Sequence, residues 1–137
     1  MTNFKWGSSS VRRMNGVNCI LIEFANRLLE ASPYDLTIGW MGGIRTVDQQ
    51  QEIFLRGASK ADGITRKSYH QSGNALDICI SSKTIEGMYD KPKLNEVGAI
   101  GKEIWKEMSE QGLLNEYTPR WGGDFRGFYD PVHWELR

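Results

Sequence analysis

Apolar residues recur at helical spacing from Val11 to Leu29, where Met14, Val17, Leu21, Phe24, Ala25, Leu28 and Leu29 share one side of a helical wheel. Ser10, at the end of "GSSS", stands where an N-cap belongs, Gly16 weakens the first turns, and "SPY" at 32–34 ends the helix. "DLTIGW", 35–40, reads as a short strand closed by Gly42 and Gly43. Thr46 with Gln49 makes a capping-box pattern, so a second helix starts there and stops at Gly57. Residues 57–68 are polar and glycine-containing, a loop long enough to suggest a binding loop or lid. In "ALDICI", 75–80, strict alternation sends Leu76, Ile78 and Ile80 to one face and Ala75, Asp77 and Cys79 to the other. A last helix covers roughly Leu94–Gln111, with Leu94, Val97, Ile104, Trp105 and Met108 on one side and Gly112 as its stop. "RWGGDFRGFYDP" reads as a glycine-rich loop and "VHWEL" as a final short strand. The sum is an α+β fold, a small antiparallel sheet flanked by helices.

Composition narrows this picture without redirecting it. A chain of 137 residues, 39% hydrophobic and 25% charged, is read as one domain, 1–137, able to bury a core and carrying no separate binding module. Lysines and arginines number 17 and acids 17, so total charge argues for neither nucleic acid nor an anionic membrane surface. Arg56, Lys60, Arg66 and Lys67 cluster in one stretch, either a basic patch or an ordinary solvated loop. No segment is apolar and long enough for membrane insertion, and "MTNFKWGSSSVRRMNG" has no signal-peptide pattern. Synthesis in the cytoplasm is therefore expected, with some other agent delivering the protein if its substrate lies outside. Cys19 and Cys79 lack metal or redox spacing, and buried free thiols are the default.

The chemistry gathers at the two histidines. His70 and Asp77 flank Gly73 at the entrance to a strand, and His133 lies on a strand near the C-terminus. Each residue alone has a bland explanation. Together, two imidazoles and a carboxylate make a recurrent zinc set with the fourth position left for water, whose pKa zinc lowers to about 7. Such a water needs a base, and Asp130 stands three residues before His133. An odd separation places two residues on opposite faces of a regular strand, so both reach one site only if the chain bends at Asp130–Pro131. Glu135, two past His133, would share its face and orient the imidazole, or is a surface glutamate. Arg45 offers a fork of donors for an oxyanion, or forms a salt bridge. Trp121 and Trp134 either line a groove or fill the core, and burial is the expectation.

These residues resemble a known family. "SYHQSGNALD" matches the S-x-H-x-x-G-x-A-x-D pattern of the D-alanyl-D-alanine metallopeptidases, relatives of the hedgehog signalling domain, and "YDPVHWE" resembles their second motif. "GIRT" at 43–46 and "RWGGDF" at 120–125 look like the phage L-alanyl-D-glutamate endopeptidases, endolysins that cut peptidoglycan stem peptides. The resemblance runs from about Phe24 to the last residue. It implies zinc held by His70, Asp77 and His133, Asp130 as general base and then acid, and Arg45 on the scissile carbonyl oxygen. Ser68 would bind substrate or fix the loop. The resemblance further implies a monomeric enzyme acting on the L-Ala–D-Glu amide of the cell wall after holin-type release. Three readings remain beside it: a D-Ala-D-Ala carboxypeptidase or dipeptidase with the same ligands, a non-haem iron oxygenase, and a peptidoglycan-binding module without chemistry.

Overall fold

The computed structural model describes residues 3–137, so Met1 and Thr2, where the signal-peptide reading begins, lie outside the described residues. The first expected helix forms as two: α1, Ser8–Arg13, and α2, Cys19–Ala31. Gly16 takes a left-handed φ of 83°, and the Asn18 side chain accepts from the Ile20 amide at 2.9 Å to cap α2. The apolar period runs through this break because Met14 and Val17, between the two pieces, join the α2 residues in the core, whereas α1 itself buries only Ser10. Ser10 is inside α1 rather than at its cap, which is Gly7. The Ser10 hydroxyl is buried and accepts from the Ile38 amide at 3.0 Å.

Strand β1, Leu36–Ile38, is followed by α3, Val47–Leu55, whose capping box between Thr46 and Gln49 is formed in both directions. Gly57, at φ 78°, closes α3 after Arg56. Strand β2 is Ala75–Ile80 and leads through a single turn, α4 at Ile85–Met88, to the long α5, Lys91–Glu110. Helix α5 begins three residues before the apolar pattern does. The Asp90 carboxylate accepts from the Lys93 amide there, and Pro92 sits in the first turn, where it forfeits no bond. The stretch read as one glycine-rich loop holds a third strand, β3, Pro119–Trp121, before β4, His133–Leu136. The four strands run antiparallel in the order β1-β2-β4-β3.

One face of this sheet packs on α2 and α5. Phe24 stacks on Trp105 with ring centroids 4.0 Å apart, and Trp134 and Trp121 fill the adjoining space, both buried in the core. Gly98 and Gly101 let α5 come this close, since a Cβ at either would run into an indole. Truncating a ring such as Phe24 in such a core costs about 3–5 kcal/mol. The other face of β2 is covered too: Ala75 and Cys79 are buried, and half-buried Asp77 alone opens onto a cavity. Burial pushes the Cys79 thiol up to about 12, whereas Cys19 is exposed at the start of α2, against the expectation that both would be buried. Among the described residues no helix is long and apolar enough to cross a membrane.

Candidate metal centre

His70 is delivered by a tight 3-10 turn, Tyr69–Ser72, with caps at both ends. The Ser68 hydroxyl accepts from the His70 amide at 3.2 Å, and Gln71 reaches back to the Ser68 amide at 2.8 Å. Gly73 ends the turn at φ 77°, its amide donating to the His70 carbonyl. A Cβ on Gly73 would lie 2.9 Å from the Gly16 carbonyl oxygen, so the same glycine permits the left-handed turn and the close approach to the helix break. Asp77 and His133 are direct partners in the β2–β4 register, and their pairing brings a C-terminal residue to the turn.

The three side chains meet in a triangle. His70 Nε2, His133 Nδ1 and Asp77 Oδ1 are 3.2 Å apart along every edge. His70 donates from Nδ1 to the Gly43 carbonyl at 2.9 Å, and His133 donates from Nε2 to Glu135 Oε1 at 2.7 Å. Those outward donors leave each neutral ring with its bare nitrogen turned inward, toward the other ring and a carboxylate oxygen. Three acceptors pressed together without a proton between them repel, and a cation relieves this. Ligand atoms about 2.05 Å from a tetrahedral zinc lie about 3.3 Å apart, so the triangle fits one face of such a site. The backbone carbonyl and the glutamate are the kind of outer partners that fix ligating imidazoles.

The charges follow from burial and neighbours. Burial lowers the His70 pKa, keeping this ring neutral. Burial also pulls on His133, but its bonds to Asp77 and Glu135 prevail and push it up to about 9. Desolvation would raise Asp77, yet the two imidazoles hold it well below the usual carboxylate range. A proton on His133 thus occupies the place a cation would take. Arg137 donates from Nε to Glu135 Oε2 at 2.6 Å and keeps that buried carboxylate ionised.

Arg45 is a salt bridge as well as a cavity residue: Nη2 donates to Asp77 Oδ2 at 3.0 Å, Nε to the Met41 carbonyl and Nη1 to Gln50 Oε1. Gln50, fully buried on α3, is held in turn by the Ala61 carbonyl and the Ser59 hydroxyl. The sequence reading missed it. The available signal was a glutamine on the inward side of an otherwise apolar helix face, four residues after a capping threonine. Asp130 is set by a closure across the loop, its amide donating to the Gly122 carbonyl at 3.0 Å and its carbonyl accepting from the His133 amide at 3.1 Å. A Cβ on Gly122 would strike the Asp130 carbonyl. The bend expected at Asp130–Pro131 is this turn, ending where β4 begins. Burial, then the nearby Asp77 charge, lifts the Asp130 carboxyl to about 6.

His70, Asp77 and His133 lie at the edge of a cavity of about 690 Å³ that Asp130, Arg45, Ser68 and Glu135 also line. Tyr89 and the exposed Trp40 join them. The model of the family described as phage L-alanyl-D-glutamate peptidase matches residues 1–136. The L-alanyl-D-glutamate peptidase of Escherichia phage T5 is 34% identical over 141 residues, an alignment covering 98% of both chains. Among solved structures, the L-Ala D-Glu endopeptidase ChiX of Serratia marcescens shares the fold at a TM-score of 0.74 and 19% identity, covering 98% of this chain and 92% of that one. With its whole length matched by the family's pattern and by a relative of the same size, the chain belongs to the phage L-alanyl-D-glutamate peptidase family.

Proposed function

We propose that this protein is a zinc-dependent endopeptidase that hydrolyses the amide between L-Ala and D-Glu in peptidoglycan stem peptides. The observation that carries the reading is the 3.2 Å triangle of inward-facing donors at the edge of a cavity that Asp130 also lines. It is supported by family membership and by the relatives named for this bond. Zinc held by His70, Asp77 and His133 would polarise the scissile carbonyl and acidify a water. Asp130, with a pKa near 6, then accepts a proton from the attacking water and returns it to the departing D-Glu nitrogen, so that one C–O bond forms as the C–N bond breaks. Arg45 anchors Asp77, and each of its terminal nitrogens keeps a second hydrogen for the carbonyl oxygen as that oxygen gains charge. Glu135 holds His133 in the tautomer that bares Nδ1. Ser68 fixes the His70 turn and keeps its own hydroxyl hydrogen for substrate.

The reading includes action as a monomer on the wall, after synthesis in the host cytoplasm and release through a holin-type lesion. Mass spectrometry of purified peptidoglycan digested with and without a chelator tests the bond assignment. New D-Glu amino termini with free L-Ala carboxyl ends, abolished by chelator and restored by zinc, are expected. Release of terminal D-Ala would move the function to a carboxypeptidase at the same centre, and no cleavage would leave a binding module. Metal analysis returning iron with oxygen-dependent turnover would replace peptidase chemistry altogether.

A further inference from the structure

Charge is balanced over the whole chain but not around the cavity, which is lined by eight arginines and lysines against three acids. Three of the cations have carboxylate partners: Arg45 with Asp77, Arg56 with Glu52, Arg137 with Glu135. The other five, Lys60, Arg66, Lys67, Arg120 and Arg126, have no carboxylate within 4.0 Å among the described residues. They come from two segments far apart in sequence, 60–67 and 120–126. Lys60 ties these segments together, its Nζ donating to the Gly127 carbonyl at 3.3 Å and lying 5.6 Å from the centre of the Phe128 ring. Two of the three acids, Asp77 and Glu135, are already engaged by the histidines and by Arg45 and Arg137. The rim therefore presents uncompensated positive charge to whatever enters, and a cleft of one sign concentrates ligands of the other.

Resting on the endopeptidase reading, we infer that this rim is a carboxylate-recognition subsite that selects stem peptides whose D-Glu keeps its spare carboxyl unamidated. Glutamate has two carboxyl groups and only one can continue the chain. The residue just past the scissile amide thus carries a free carboxylate within a few bonds of the reacting carbon, unless it has been amidated. Residues farther along the stem peptide add further carboxylates within reach of the 690 Å³ cavity. Arginine and lysine side chains that have no internal carboxylate partner can close on such groups without breaking an existing ion pair. The basic stretch at 56–67 is thereby more than a solvated loop: folding brings it together with Arg120 and Arg126 around the cavity that His70, Asp77 and His133 line.

The test uses the full-length, zinc-loaded protein and two synthetic peptides containing L-Ala–D-Glu that differ only in the spare D-Glu carboxyl, free in one and amidated in the other. The wild type is expected to cut the free form with a kcat/KM at least about tenfold higher at low salt, the ratio narrowing as ionic strength rises. In a Lys67→Gln/Arg126→Gln variant that melts at the wild-type temperature, the ratio should fall to within about twofold, while Lys67→Arg/Arg126→Lys should keep it. Equal cleavage of both peptides by the wild type, or a preference that survives the double glutamine variant, overturns the subsite. Calorimetric binding of the same peptides separates this inference from the reading beneath it. Preferential binding of the free form without cleavage would uphold the subsite and overturn the endopeptidase, and binding of neither peptide would overturn both.

Discussion

The wall that carries the donor triangle and the basic rim occupy the same cavity and are built on opposite principles. On the wall, the side chains that form and back the donor triangle are tied to one another or to backbone: His70 to Gly43, His133 to Glu135, Glu135 to Arg137, Asp77 to Arg45, Arg45 to Gln50. Most side chains there are buried, and His70, Asp77, His133 and Gln50 are set by a capped turn, a strand register or a helix. On the rim, charged side chains stand in solvent, four of them on loops and Arg120 on the edge strand β3, without carboxylate partners. The contrast teaches how the two tasks differ. Holding a cation requires donor atoms fixed before it arrives, because a loose ligand loses affinity to entropy. Attracting an anionic peptide requires only net charge in the right place, and mobile side chains supply that at little cost to folding.

Substitutions can break this contrast or sharpen it. His70→Ala, on the wall, is expected to remove metal and activity together, measured by elemental analysis and peptidoglycan turnover. Native metal content with full activity would take His70 out of the centre. Asp130→Ala should keep zinc while kcat drops by about 10²-fold or more, the usual contribution of a positioned proton-transfer group. Metal loss in that variant would make Asp130 a ligand. Gln50→Leu leaves Arg45 Nη1 without its partner, and zinc affinity should weaken by about 10- to 100-fold, as when other outer partners of a ligand are removed. An unchanged zinc titration would show that Arg45 holds Asp77 unaided.

A change of similar size, spread over two pH units, follows from the proton on His133. Below a pH of about 9 the metal-free ring is charged, so binding a metal expels one proton, and affinity should rise about tenfold per pH unit between 6 and 8. His70, lowered by burial, and Asp77, held low by the imidazoles, are shifted away from that window, so His133 dominates the slope. A flat profile would mean that His133 is neutral before metal arrives. The smallest effect belongs to the rim, where Arg126→Gln should leave stability within about 0.5 kcal/mol in a denaturant titration, as for most exposed substitutions. A larger loss would show that the rim, like the wall, is part of the folded framework.

Much of this was readable along the chain because the signals were local. The Thr46–Gln49 capping box, the β2 alternation and the glycine stops at Gly57 and Gly112 each depend on neighbours within a few residues, and each formed as expected. The spacing of His70, Asp77, Asp130 and His133 named the candidate chemistry, since residue type and order are sequence properties. The break between α1 and α2 escaped, because Gly16 was weighed only as a weak helix former. In the fold that break also receives the Gly73 turn, with the Asn18 amide donating to the Gly73 carbonyl at 2.9 Å. β3 escaped because three residues beside two glycines carry no period of their own, and only pairing with β4 makes them a strand.

The sequence by itself determined which donor atoms this protein owns, the helices and strands that carry them, and a net charge of zero. Tertiary structure alone decided that Asp77 pairs with His133 across a strand register, that three donors stand 3.2 Å apart, and that Gln50 reaches Arg45. It also gathered the cations onto one cavity, although the chain as a whole is neutral. The physical reason is range. Capping, alternation and turn chemistry act over a few bonds, whereas a metal triangle and a local electric field are sums over residues that meet only when the sheet closes.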